Sequence, residues 1–198
     1  MTPTTHPGRC SFACAVATFF TLAAGLVCAQ TIHAQSDPVH TRVVLGAGAS
    51  WAGGGVETSA GMGLAGHVGM RHQRGAYSVS LRAGMNGGGG SRFRAPGGNL
   101  HDRFDELALL VGRDFYRTEV AQVTLSAGLA AVDGERVISE AGGGARNVGF
   151  GTKIGFPLQV AVSAPGPKSG FGLTVHVNLN AEEVFGAVTA TYLIGLDR

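Results

Sequence analysis

The stretch FGLTVHVNLN, residues 171–180, alternates between apolar and small or polar side chains without interruption. Successive side chains of an extended strand point to opposite faces, so one face carries Phe171, Leu173, Val175, Val177 and Leu179. The other face carries only glycine, threonine, histidine and asparagine. A soluble β-protein turns its polar face to water, whereas a membrane barrel turns its apolar face to lipid. The orientation of this strand therefore decides the class of protein.

The same two-residue periodicity recurs along the chain. Seven further segments show it: 42–51, 62–71, 77–86, 104–113, 121–130, 150–162 and 184–196. Within 150–162, Pro157 predicts a bulge or a weakened ladder position, because proline lacks the N–H donor. Each segment is close to the 9–11 residues that a tilted strand needs to cross a bilayer. The sequence therefore predicts eight membrane-crossing strands.

The connectors between these segments alternate in length. Those at 74–76, 116–120 and 166–170 are short, whereas those at 53–61, 87–102 and 133–147 are long and rich in glycine and polar residues. The last connector, 180–183, is brief. Short turns at one end and long loops at the other are typical of outer-membrane barrels, whose long loops lie outside the cell.

Composition narrows the classes of function. Charged residues are 14% of the chain, 33 residues are glycine, and the formal net charge is +2. This charge is too small to indicate a nucleic-acid partner. The face opposite the apolar stripe holds mostly small residues, which suit a narrow lumen. The alternative is a soluble periplasmic barrel or sandwich, whose apolar faces would line a ligand pocket.

The N-terminal part of the sequence predicts export. Residues 1–29 have a short polar start, an apolar run and a small-residue site after Ala29, which is the pattern of a signal peptide, although cleavage as late as 34 also fits. Residues 30–41 would then be a short periplasmic segment and 42–198 the barrel. All three cysteines, Cys10, Cys14 and Cys28, lie within the first 29 residues. We therefore expect no disulfide, metal or cofactor in the mature chain.

Together, the signal, the cysteine-free mature chain, the unequal connectors and the periodicity from Arg42 to Leu196 resemble the small eight-stranded outer-membrane β-barrel family of Gram-negative bacteria. The resemblance implies an all-β, eight-stranded antiparallel up-and-down transmembrane β-barrel located in the bacterial outer membrane as a monomer. Its partners would be outer-membrane lipids, lipopolysaccharide and the barrel-assembly machinery. One feature departs from the family: many members end on an aromatic residue that this machinery reads, whereas this chain ends Leu196-Asp-Arg198.

A charged row is expected inside the lumen. The hairpin register predicts that His67 lies opposite Arg82 and that Arg82 lies near Glu106, and Lys153 also points inward. Because unpaired charges in a narrow interior are costly, the sequence predicts an Arg82–Glu106 pair with His67 and Lys153 nearby. Such a cluster either plugs the barrel and fixes its register or forms a gate for ions.

Two other groups of residues bear on function. His176 and Ser126 both point inward, but no register brings them together with a carboxylate, so we expect no enzymatic activity. Arg92, Phe93 and Arg94 lie in a long loop, where they would meet lipopolysaccharide phosphates or an extracellular partner, or form an ordinary solvated loop. The sequence thus predicts a structural, adhesion or recognition role through the loops. The alternative is a narrow channel for small solutes.

Overall fold

The computed structural model describes residues 39–52, 61–87, 94–95, 98–99, 103–139, 145–166, 168–181 and 184–196. Eight strands in this part of the chain form one closed barrel, in which each strand pairs antiparallel with its neighbours in sequence. The last strand returns to pair with the first, so the sheet has no free edge around the ring. No helix among the described residues is long and apolar enough to cross a membrane.

All the barrel strands except the last are longer than the sequence segments that predict them, and they are numbered here in chain order. They are β1 Val39–Ala52, β2 Gly61–Arg74, β3 Tyr77–Gly87, β4 Arg103–Arg117, β5 Gln122–Ser139, β6 Ala145–Pro165, β7 Ser169–Asn180 and β8 Val184–Gly195. All eight predicted strands and the predicted fold class are confirmed. A separate two-residue hairpin pairs Arg94–Ala95 with Gly98–Asn99.

The apolar faces of the strands point outward. Leu64 is 82% exposed and Ile154 is 69% exposed, and the whole apolar row of β7 from Phe171 to Leu179 lies on the outer surface. A soluble monomer rarely exposes so continuous an apolar surface, because water contact with it is unfavourable. The outer face is therefore a lipid-contacting band, and the apolar face of FGLTVHVNLN points toward lipid.

The polar faces of the same strands line the interior. Buried polar or charged side chains occur on all eight strands, including Ser50, Arg71, Arg82, Glu106, Thr124, Ser163, His176 and Thr189. Their hydrogen-bonding capacity has to be met within the barrel, since buried polar groups without partners are costly.

Aromatic side chains surround the end of the barrel that carries the short turns. The rings of Phe171 and Tyr192 lie 4.9 Å apart on the outer face, and the Arg113 guanidinium lies 5.7 Å from the centre of the Tyr77 ring. Aromatic girdles of this kind sit at the level of the lipid headgroups in membrane barrels. This turn end therefore marks one edge of the apolar band.

Two sequence predictions about connections were wrong. The expected loop 133–147 is mostly strand, because β5 and β6 continue as a paired hairpin from Glu135–Gly149 to Ser139–Ala145. The β-branched residues Val137 and Ile138 favour strand over loop there. At Pro157 and its neighbour Phe156, the β5–β6 ladder omits two pairs without a change of register, so Pro157 marks a weakened ladder position rather than a bulge.

The second correction concerns the turn between β2 and β3. The turn consists of two residues, Gly75 and Ala76, flanked by the pair Arg74–Tyr77, and Gly75 has a positive φ of 57°. Two-residue hairpin turns require this left-handed backbone, which glycine adopts without strain. The register therefore shifts by two residues from the predicted one, and His67 faces Gly84 rather than Arg82.

The outward orientation can be tested on β7. We expect Val175→Arg to lower the free energy of unfolding by about 2–4 kcal/mol, because Val175 lies mid-strand on the lipid face. The matched variant Val175→Leu should cost less than about 1.5 kcal/mol. Urea titration of the refolded barrel in lipid vesicles measures both, and equal stability of the two variants would contradict the orientation.

Candidate functional site in the barrel lumen

A buried network of charged and polar side chains occupies the middle of the lumen. Nη1 of Arg82 on β3 donates to Oε1 of Glu106 on β4 at 2.8 Å. The other carboxylate oxygen of Glu106 accepts from Nδ2 of Asn178 on β7 at 2.9 Å and lies 2.9 Å from Nε2 of His176. These four side chains form the central network. It joins strands on opposite sides of the barrel and fills the space between them.

His176 holds a shared position in the central network. Its Nε2 lies 2.9 Å from Glu106 Oε2 and 3.0 Å from Arg82 Nη1. Arg82 can only donate and the Glu106 carboxylate can only accept, so the tautomer of the imidazole decides which of the two contacts is a hydrogen bond. The Nδ1 atom of His176 has no hydrogen-bond partner among the described residues.

Glycines on the inner face make room for the large side chains. A Cβ on Gly46 would overlap the imidazole of His67, whereas a Cβ on Gly84 would lie 3.4 Å from the guanidinium carbon of Arg82, an ordinary contact distance. The absence of a side chain at Gly46 therefore leaves the space that the His67 imidazole occupies. The small residues of the inner face are therefore part of the site.

A second network lies closer to the turn end of the lumen. Nη2 of Arg71 donates to Asp114 Oδ1 at 3.2 Å and to Thr124 Oγ1 at 2.9 Å, and the Thr124 hydroxyl donates to Asp114 at 2.7 Å. Nε2 of Gln73 donates to the other Asp114 oxygen at 2.5 Å. This turn-end network holds a second ion pair beneath the first.

An apolar cluster closes the lumen at the loop end. The rings of Phe104 and Phe185 stack 4.8 Å apart, Phe150 lies 6.0 Å from Phe104, and Ala52 belongs to the same cluster. Phe104 and Phe185 are almost completely buried. From the loop end inward, the lumen thus contains an aromatic layer, the central network and the turn-end network. Buried side chains therefore occupy the described lumen at each of these three levels.

The structure brings together some of the predicted lumen residues. Arg82 and Glu106 form the predicted contact, and His67, half-buried on β2, borders the same cavity as Arg82. Lys153 is half-buried on β6. Val132 on β5 pairs with Lys153 on one side and with Glu106 on the other. Lys153 therefore shares the level of Glu106, two strands away.

The predicted loop contact lies largely outside the described residues. Arg92 and Phe93 are not described, and Arg94 pairs with Asn99 in the two-residue hairpin.

Sequence reasoning did not include His176, Asn178, Arg71 or Asp114 in the lumen cluster. The alternation in β7 already places His176 and Asn178 on the inner face, so their orientation was available from the sequence. The missing information was contact across the lumen, because hairpin register relates only neighbouring strands. A charged residue at an inward-pointing position of a strand is the signal that would have identified Arg71 and Asp114.

Ser126 and His176, the two inward residues considered as a nucleophile and a base, do not lie on neighbouring strands. Ser126 and His176 both face Gln159, one from each side, so one strand separates them and their backbones are about 10 Å apart. The imidazole contacts Arg82 and Glu106 instead. Among the described residues there is no group of three or more histidine, cysteine, aspartate or glutamate side chains that could hold a metal ion.

Solved structures share this architecture. The crystal structure of Neisserial surface protein A matches with a TM-score of 0.60 at 13% identity, over 80% of this chain and 99% of that chain. Ail, the attachment invasion locus protein of Yersinia pestis, matches with a TM-score of 0.53 at 10% identity, over 79% of this chain and 98% of that one. The chain has the fold of the small eight-stranded outer-membrane β-barrels.

Ail has also been solved in complex with the heparin analogue sucrose octasulfate, and that structure matches with a TM-score of 0.50 at 13% identity, over 80% of this chain and 99% of that chain. No protein-family model and no curated protein matches the sequence. The closed barrel and its apolar outer surface confirm the predicted outer-membrane β-barrel, a class that resides in the bacterial outer membrane.

Removal of one partner tests the central ion pair. We expect Arg82→Met to destabilise the barrel by about 3–5 kcal/mol, because it leaves the Glu106 carboxylate buried without a compensating charge. The double variant Arg82→Met/Glu106→Met should recover most of that loss. The urea midpoints of wild type, both single variants and the double variant give the coupling energy. Additive losses would show that the two residues do not interact.

Proposed function

We propose that this outer-membrane barrel acts through its loop end, as a structural and recognition protein, and that its lumen is a closed support. The observation that carries the proposal is that buried side chains occupy the described interior at three levels, as the phenylalanine layer and the two ion-pair networks. An eight-stranded barrel has an interior just wide enough for side chains. The surfaces left for function are then the two ends and the lipid face.

The two ends of the barrel differ in the length of their connectors, and this difference supports the loop end as the functional one. At the turn end, β2 and β3 are joined by two residues and β4 and β5 by four. At the loop end, fifteen residues separate β3 from β4. The hairpin of β5 and β6 also extends beyond the last residue pair that joins β4 to β5. Long connectors on a rigid scaffold are where binding residues commonly lie. The proposed orientation places this end outside the cell.

The proposal includes the processing and partners of the chain. Residues 1–29 are proposed to be a removed signal peptide and 30–38 a short periplasmic segment. The barrel begins at Val39, three residues before the start expected from the sequence, because β1 pairs with β2 from Val39–Arg74 onward. The proposed partners are lipopolysaccharide and membrane lipids, the barrel-assembly machinery and an extracellular molecule bound by the loops. The protein is proposed to act as a monomer without enzymatic activity.

A polyanion is the chemistry that the loop Arg92-Phe93-Arg94 fits best, because guanidinium groups pair with sulfate and phosphate oxygens. Sucrose octasulfate is therefore a suitable first probe, to be titrated calorimetrically into the refolded full chain. We expect Arg92→Ala/Phe93→Ala/Arg94→Ala to weaken binding about tenfold or more. The matched control Arg117→Ala/Lys168→Ala removes two exposed cations at the turn end and should bind as wild type does.

Both titrations should be repeated at higher salt, where an electrostatic contact weakens. Equal binding by wild type and the loop variant would refute a role of these three residues in recognition.

The channel alternative has its own test. We expect the refolded barrel to produce no conductance steps in planar lipid bilayers, because buried layers cross its lumen. A heat-shifted band on an unboiled gel confirms that the sample is folded. Reproducible steps from such a sample would favour the narrow channel for small solutes over the closed support.

A further inference from the structure

The outer surface at the turn end of the barrel carries its outward-facing arginines on one side only. Arg74 on β2 and Arg113 on β4 follow the same alternation as the lipid-facing residues of their strands. The outward side chains that the structure describes at the same end of β5 to β8 are uncharged, and they include Val123, Val162, Phe171 and Tyr192. The turn-end rim is therefore asymmetric in charge.

The two arginines and a tyrosine form one row across three strands. Tyr77 on β3 pairs with Arg74 on one side and with Arg113 on the other. Directly opposite residues of antiparallel strands point to the same face, and Tyr77 is 61% exposed on the outer surface. The guanidinium carbon of Arg113 lies 5.7 Å from the centre of the Tyr77 ring, which is within the range of a cation–π contact. We call these three residues the arginine row.

The arginines of this row have no anionic partner in the described part of the protein. Arg74 and Arg113 form no ion pair with a described carboxylate, and Nε of Arg74 is buried without an acceptor there. Arg103 is the contrast, because it lies at the loop end of the same strand and its Nη2 is 3.1 Å from Asp105. Stacking on an aromatic ring uses the face of a guanidinium, so its N–H edges stay available to another acceptor.

The arginine row lies at the level of the lipid headgroups. The exposed Val111 precedes Arg113 on the lipid face, and the exposed rings of Phe115 and Tyr116 follow it toward the turn. Tyrosines mark the interface of a membrane protein, and arginine side chains near it extend their charged ends toward the headgroups. A cation there meets lipid phosphate, whereas the same cation at the bilayer midplane would be costly.

We propose that the arginine row binds the headgroup of an anionic glycerophospholipid, such as phosphatidylglycerol, in the leaflet at the turn end. Guanidinium groups donate charge-assisted hydrogen bonds to phosphate oxygens. An anionic headgroup is favoured over a zwitterionic one because the row holds two cations and no carboxylate to accept an ammonium group. The acyl chains lie along the exposed Met70 and Val111, which continue the outer faces of β2 and β4 toward the membrane centre.

This inference adds a lipid class and a binding site to the proposed function. It rests on the proposed periplasmic placement of the turn end for the choice of leaflet, which is then the inner, phospholipid-rich one. Lipid binding by the purified barrel depends neither on that placement nor on the loops. A negative result here therefore leaves recognition at the loop end standing, and the reverse also holds.

The first test is native mass spectrometry of the refolded full chain in a neutral detergent. Phosphatidylglycerol and phosphatidylcholine with the same acyl chains are titrated separately, and we expect wild type to bind phosphatidylglycerol more tightly. Arg74→Gln/Arg113→Gln should weaken that binding about tenfold or more, because each cation near anionic lipid contributes about fivefold. Equal affinity of wild type for the two lipids would overturn the proposal.

Two further variants separate the row from a general attraction of cations to anionic lipid. Arg103→Gln removes an outward cation from the loop end of β4 and should bind phosphatidylglycerol as wild type does. Tyr77→Leu keeps both cations but removes the ring against which Arg113 lies, and it should weaken binding about threefold. A heat-shifted gel band shows that each variant is folded. Equal losses in Arg103→Gln and in the double variant would overturn the site.

A second measurement uses only the wild-type chain. A phosphatidylglycerol analogue with a photoreactive group on its headgroup is cross-linked to the barrel in vesicles, and the labelled peptides are mapped. We expect the label near Tyr77 and Arg113 in preference to Phe171 and Tyr192, which lie on the opposite wall at the same end. Even labelling around the rim would overturn the proposal.

Discussion

Closure of the backbone hydrogen-bond ladder is the constraint on which the rest of the structure depends. In lipid, an N–H or C=O group without a partner costs several kcal/mol, so a sheet that crosses a membrane has to return to its own first strand. The pairing of β1 with β8 from Arg42–Gly195 to Ala52–Phe185 meets this demand. Once the ring is closed with eight strands, its circumference fixes how much space the interior offers.

The interior follows from that narrow space. Side chains on opposite walls reach one another, so the lumen is a packed core made largely of polar groups. Glu106 accepts from residues on two other strands, and the ion pair of Arg71 with Asp114 adds a second bridge below it. Buried ion pairs contribute little net stability compared with apolar packing, but breaking one is costly. Such pairs favour one arrangement of the strands over arrangements slipped by two residues.

Much of the fold could be predicted from the sequence because the strand period is two residues and the apolar band has one direction. The eight strands, their order and the outward face of FGLTVHVNLN follow from that periodicity. The Arg82–Glu106 contact was also accessible, since it joins neighbouring strands. The exact register of β2 against β3 was not, because it depends on which two residues adopt the turn, and Gly75 decides this through its backbone.

Contacts across the lumen could not be derived by the same means. The approach of His176 to Arg82 depends on barrel diameter and strand tilt, which the pattern of a single strand does not encode. The long β5–β6 hairpin was missed for a different reason: DGERVISEAGGGARN has the composition of a loop, while pairing between its two arms makes it strand.

The members of the central network are far apart in the sequence, and this separation affects the order in which they can meet during folding. Arg82 and Glu106 are 24 residues apart on consecutive strands, whereas His176 is 70 residues beyond Glu106. Local contacts can form early in folding, and distant ones wait for the chain between them to be ordered. The two charges can therefore enter the bilayer already neutralised as a hairpin pair. The imidazole joins them only when the later strands arrive, so its contact is a marker of the completed barrel.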